Sequence, residues 1–303
     1  MPAGTVTVLD GGTGRELLRQ GAPFRQPEWS ALALIEAPES VGRVHRAFLE
    51  AGAEVVTTNS YSVVPFHLGA ERFATDGLRL AALAGRLARE AADAAPGAPR
   101  VAGSLPPVCG SYRADLFDPR LARPVLETLV TALGPTVDHW QAETLSAIAE
   151  AELVRQVLGN DTRPLWLSFT LRDGPATRGD PRLRSGETVA AAVTASRRLG
   201  AAAVLFNCSQ PDVMADAVDA ARAVPGAPPV GVYANAFEPQ RADAKANEGL
   251  SGLRAELTPA LYLRFAEDWV RRGATLVGGC CGIGPEHIRA LAERFARGRE
   301  REP

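Results

Sequence analysis

Residues 258–279 read TPALYLRFAEDWVRRGATLVGG, and the fold turns on how this stretch divides. The first part, TPALYLRFAEDWVRRGA, is an amphipathic segment of helical length. Gly273 then offers the left-handed conformation that stops a helix, and ATLVGG at 274–279 is a short apolar run of strand type. The same punctuation recurs upstream in "EAGAE" and "RLGAA". Moving outward, strand-like runs lie at VTVLD (6–10), VVTTNS (55–60), RVAGSL (100–105), TVDHWQAET (136–144), LWLSFT (165–170), AVLFNCS (203–209), VGVYANA (230–236) and again at 274–279. Helical patterns such as PESVGRVHRAFLEAGA, GLRLAALAGRLAREAADAA and ETVAAAVTASRRLGA separate them. Eight strand-helix units with apolar, doubly buried strands predict an α/β protein, a (β/α)8 TIM-type barrel. The Pro/Gly-rich stretches 96–99 and 225–229 are connections of a few residues, so residues 1–303 are expected to form a single domain.

Composition narrows the function classes. The chain of 303 residues is 46% apolar and 22% charged, with a formal charge of −2, which gives no electrostatic reason to expect nucleic acid or an anionic membrane. No stretch approaches 18 unbroken apolar residues, and MPAGTVTVLD lacks the features of a signal peptide, so a cytoplasmic protein acting on small molecules is expected. The single lysine, Lys245, sits in the polar run EPQRADAKANEGL and offers no candidate for Schiff-base chemistry. DGGTGREL near the start lacks the G-x-G-x-x-G spacing of a dinucleotide loop.

In a barrel of this type the active site lies where strands end and loops begin. Those ends are polar here: Asp10 before Gly11 and Gly12, then Thr58, Asn59 and Ser60, Glu143 and Thr144, Asn207 and Cys208, Asn235, and Cys280 with Cys281. Three of the four cysteines therefore converge on one rim, while Cys109 lies further into its loop. Neighbouring residues on a regular strand face opposite ways, so Cys280 and Cys281 reach one ion only if the backbone departs from strand geometry, which Gly278, Gly279 and Gly282 permit. A vicinal disulfide or small buried fillers are the alternatives. Three thiolates select a soft or borderline metal, zinc foremost, and leave its fourth position open for catalysis.

LDGGTGREL, TTNSY, AET at 142–144, NCS at 207–209, VYANAFEP and GGCCGIGPEHI together resemble the homocysteine S-methyltransferases. That family shares its barrel with betaine-homocysteine methyltransferase and the homocysteine module of methionine synthase. The resemblance covers nearly the whole chain. It implies zinc held by Cys208, Cys280 and Cys281, and zinc-dependent, cobalamin-independent methyl transfer from a small onium donor to the homocysteine thiol, giving methionine. It also assigns Asp10 and Glu143 to the substrate ammonium, while the Gly11–Gly12 backbone N–H groups suit its carboxylate and Asn59, Asn207 and Asn235 orient the site.

Two segments depart from relatives that use S-methylmethionine. The chain reads GSLPPVCGSYRADLF after its third strand, where those relatives carry a Ser-x-Gly-Pro-Tyr-Gly type segment, and VYANAFEP on its seventh, where they carry Tyr-Pro-Asn with a nearby Gly-Glu. S-methylmethionine is the first donor expected, with Tyr112 and Phe117 as candidate aromatic faces for a methyl-bearing cation. The loop RDGPATRGDPRLRSGE, with four arginines, reads as a solvated lid. Methylation of another thiol or a selenol, and a non-catalytic module that binds a thiol amino acid or zinc, are the rival functions.

Overall fold

The computed structural model describes residues 5–173, 177, 179–238 and 252–296; Lys245 and Arg178 lie outside them. The opening stretch divides as its sequence predicts. The Thr258 hydroxyl caps the helix Pro259–Arg271 by accepting from the Leu261 amide, Gly273 takes φ +109°, and the last strand runs Ala274–Gly279.

Eight strands follow in chain order: β1 Thr7–Val8, β2 Val55–Thr57, β3 Arg100–Leu105, β4 His139–Leu145, β5 Leu165–Phe169, β6 Ala203–Asn207, β7 Val230–Ala234 and β8 Ala274–Gly279. All pairs are parallel, and the order β1-β8-β7-β6-β5-β4-β3-β2 runs round the sheet. The seam between β1 and β2 is bridged at Leu9 and Val55, where Asp10 N donates to Val55 O at 3.0 Å and Glu54 N to Val8 O at 2.8 Å. The architecture is therefore the (β/α)8 barrel, and each strand lies where the apolar runs place it.

Two apolar layers hold it. Between strands and helices lies a large cluster that includes Phe48, Trp140, Phe206, Tyr262 and Trp269. A smaller cluster of Leu9, Val55, Ala102, Trp166, Ala203, Leu205, Tyr233 and Leu276 gathers side chains from around the barrel interior, as expected of a barrel filled by side chains rather than open as a pore. His139 at the start of β4 lies against Trp166, with ring centroids 4.0 Å apart, and Arg100 covers the same indole at 5.2 Å. No described helix is long and apolar enough to cross a membrane.

Candidate active site

One cavity at the C-terminal ends of the strands is lined by Asp10, Gly11, Gly12, Asn59, Glu143, Cys208, Cys280 and Cys281 among the residues the sequence singles out. The three sulfurs lie within 4.8 Å of one another, with Cys208 Sγ 4.0 Å from Cys281 Sγ. All four cysteines are free thiols, and Cys109 stands apart, its Sγ 3.9 Å from the Asp118 carbonyl.

Backbone geometry brings the sulfurs together. Cys208 has φ +50° and Gly282 φ +83°, a region costly for a side chain and maintained only by surrounding structure. At Gly12 an added Cβ would fall 2.5 Å from the Cys280 carbonyl oxygen, and at Gly279 2.2 Å from the Ile283 side chain. The first loop and the Gly-Gly-Cys-Cys loop thus meet backbone to backbone, leaving no room for larger residues. Hydrogen bonds from Cys280 and Cys281 hold the Cys208 thiol well below the usual range, while those to Cys208 push the other two up.

Across the cavity stand two buried carboxylates. Asp10 accepts from Thr57 N at 2.7 Å and Thr57 Oγ1 at 3.0 Å. Glu143 accepts from Ser104 Oγ at 2.5 Å and Tyr233 OH at 3.4 Å. Burial pushes Asp10 up to about 8 and Glu143 to about 7, because desolvation disfavours an uncompensated anion. Neither has a cationic partner among the described residues. The arrangement is suited to receive a cation from outside.

Other predicted residues fall differently. Gly12 N donates to Ile283 O at 3.0 Å, so this amide is already spent on the chain itself. Asn59 lines the cavity and donates to the Ser30 carbonyl at 3.1 Å. Asn207 and Asn235 are fully buried and stand behind the lining instead of on it. The Asn207 amide is engaged by Thr144 and Ser168. Asn235 Oδ1 accepts from Phe237 N at 3.2 Å, and its Nδ2 lies 4.0 Å from Cys208 Sγ.

Tyr112 lines the cavity and donates its hydroxyl proton to Cys208 Sγ at 3.1 Å, whereas Phe117 packs against the outer core. The arginine-rich loop is not wholly solvated: the Arg184 side chain is 6% exposed and pairs at 2.7 Å with a fully buried Asp173. Sequence reasoning passed over Trp29, Tyr61, Tyr233 and Arg15, all on the cavity wall. Tyr61 directly follows the polar end of β2, a position that alone could have flagged it. Trp29 comes from a connection with no strand to mark it.

Comparison with known proteins fits this geometry. A family model described as homocysteine S-methyltransferase matches residues 7–295. Homocysteine S-methyltransferase 4 of Zea mays is 32% identical, over 96% of this chain and 89% of its own length. Selenocysteine methyltransferase of Astragalus bisulcatus is 27% identical over 98% and 94%. The metallated crystal structure of the homocysteine methyltransferase MmuM from Escherichia coli is similar at a TM-score of 0.75 and 28% identity, covering 96% of each chain.

Proposed function

The chain belongs to the homocysteine S-methyltransferase family, and from that premise we propose a zinc-dependent, cobalamin-independent enzyme that methylates homocysteine from a small onium donor, S-methylmethionine first. The observation that carries this reading is three clustered sulfurs facing two buried, unpaired carboxylates across one cavity. Residues 1–303 act as one homocysteine-binding barrel, in the cytoplasm, where reducing conditions keep the thiols free.

The donor set fits zinc. Tetrahedral Zn–S bonds of about 2.3 Å place ligand sulfurs about 3.8 Å apart, close to the 4.0 Å between Cys208 and Cys281. Cys208, Cys280 and Cys281 would hold the ion, releasing their remaining protons to solvent as it binds. An unperturbed thiol with pKa about 8.5 is largely protonated at neutral pH, and zinc, when bound, supplies the Lewis acidity that keeps a substrate thiol ionised.

The rest is done by the chain. Asp10 and Glu143 receive the homocysteine ammonium and lose their protons in doing so, while Gly11 N–H meets the carboxylate. Asn59 braces the wall beside them; Asn207 and Asn235 fix the Cys208 loop from behind. Trp29, Tyr61 and Tyr112 present aromatic surface to the onium methyl. Within that enclosure the homocysteine sulfur attacks in line: its bond to the methyl carbon forms as the donor sulfonium–methyl bond breaks, giving methionine and the neutral remainder of the donor. No general base is needed for that step.

A selenol acceptor is the second reading, favoured by the Astragalus relative, whose name specifies selenocysteine. The deciding experiment loads the protein with zinc, measures metal content, and assays methyl transfer to homocysteine and selenocysteine from S-methylmethionine, S-adenosylmethionine and betaine. Methionine formed from S-methylmethionine is the expected result. Tight zinc and homocysteine binding without turnover on any donor would make this a binding module instead.

A further inference from the structure

A site that handles methyl cations exposes its own thiolates to the same reagent. Attack by a ligand sulfur on an onium methyl would form a Cys–S–CH3 thioether, release the neutral donor remainder and ruin the metal site. Cys208 is the one of the three sulfurs that side chains other than cysteine cover. Tyr112 OH donates to it at 3.1 Å, and Asn235 Nδ2 approaches at 4.0 Å.

Tyr112 is held in this position with care. Its φ is +67°, a conformation a tyrosine keeps only under constraint. The Arg184 guanidinium lies over its ring, 4.8 Å from the centroid, and the buried Arg184 Nε has no hydrogen-bond partner among the described residues. Arg184 donates to Asp173 Oδ2 at 2.7 Å, and Asp173 Oδ1 accepts from Gln210 N at 3.0 Å, two residues beyond Cys208. The contacts therefore close a circuit from the Cys208 loop through Asp173, Arg184 and Tyr112 back to the Cys208 sulfur. Such a buried ion pair is costly to build and is seldom kept for stability alone.

We propose that Tyr112, set in place by Arg184 and Asp173, is a positioning residue that masks the Cys208 sulfur and so directs the incoming methyl to the substrate instead of to the protein. A sulfur lone pair engaged by a hydroxyl is a poorer nucleophile, and partners that hydrogen-bond a metal ligand tune it in the same manner. The inference rests on the zinc and onium-donor reading above.

The test uses zinc-loaded protein without homocysteine, treated with methyl iodide, with the methyl group mapped among Cys208, Cys280 and Cys281 by peptide mass spectrometry at equal zinc content. Tyr112→Phe keeps the ring and removes only the hydroxyl. Cys208 should be methylated about tenfold faster in this variant than in the parent, with Cys280 and Cys281 little changed, and Arg184→Met should fall between the two. Equal Cys208 rates in parent and Tyr112→Phe, or one common rise at all three cysteines, would overturn the masking role. Methyl iodide needs no recognition by a donor site, so failure of the donor panel would leave this comparison readable.

Discussion

Asn207 and Thr144 bond each other twice: Thr144 N donates to Asn207 Oδ1 at 2.9 Å, and Asn207 Nδ2 donates to Thr144 Oγ1 at 2.8 Å. Thr144 itself has φ +60°, and Cys208, the residue after Asn207, has φ +50°. One amide thus restrains two strained positions, one at the end of β4 and one just beyond β6. Asn207→Ala should strand the Thr144 N–H and the Ser168 hydroxyl, which donates to the same Oδ1 at 2.8 Å, at a cost of about 1–3 kcal/mol. Chemical denaturation would show the lost stability, and zinc titration against a chelator should show weakened affinity as Cys208 relaxes.

Cys208→Ala should abolish methyl transfer and sharply reduce bound zinc while the circular dichroism spectrum stays that of the parent. Rim residues of a barrel serve the site more than the core. Full zinc occupancy in this variant would remove Cys208 from the ligand set.

Glu143→Gln should raise the KM for homocysteine while leaving zinc content intact. Because burial holds Asp10 near 8 and Glu143 near 7, both carboxyls carry protons at slightly acid pH and must release them when an ammonium arrives. Homocysteine affinity should therefore climb as pH rises toward 8, and calorimetry in buffers of differing ionisation enthalpy should register proton release. Uptake of protons would contradict the assignment.

The metal-free protein should respond to pH through two opposed sets of buried groups. Asp10 near 8 and Glu143 and Glu150 near 7 lie above their ordinary 3.8 and 4.5 because of burial, so the folded state binds extra protons and stability grows as pH falls from about 8. His45 near 4 and His139 near 3 lie below their ordinary 6.5, also through burial, so their contribution is lost as pH falls below about 6.5. The melting temperature should rise between pH 8 and 6.5 and then more gently, because three raised carboxyls outweigh two lowered histidines. In His139→Phe, which keeps a ring against Trp166, the rise should continue further into acid.

The barrel was legible because its determinants are local and repeated: an apolar run, a glycine stop and an amphipathic helix, each read within a few residues. The sulfur cluster was legible for a related reason, since strand ends of a barrel share one rim and Cys208, Cys280 and Cys281 each sit at one. Depth was not legible. Asn207 and Asn235 end their strands as Asn59 does, yet they turn behind the cavity wall, and Gly12 spends its amide on Ile283. Nor could Arg184 be distinguished from its exposed neighbours, because its burial depends on Tyr112, from the loop after β3, and on how its own loop folds back to bring Asp173 beside it.

The barrel seam gives Asp10 a second meaning. β1 and β2 share a single bridge at Leu9 and Val55, and the next link along that seam is the Asp10 carboxylate gripping Thr57 on β2 by two bonds. Ionising Asp10 strengthens both bonds, since a charged acceptor holds N–H and O–H donors more tightly. A bound amino acid that draws the proton off Asp10 would therefore also cinch the thinnest hoop of the cylinder, so that occupancy and mechanical closure become one event.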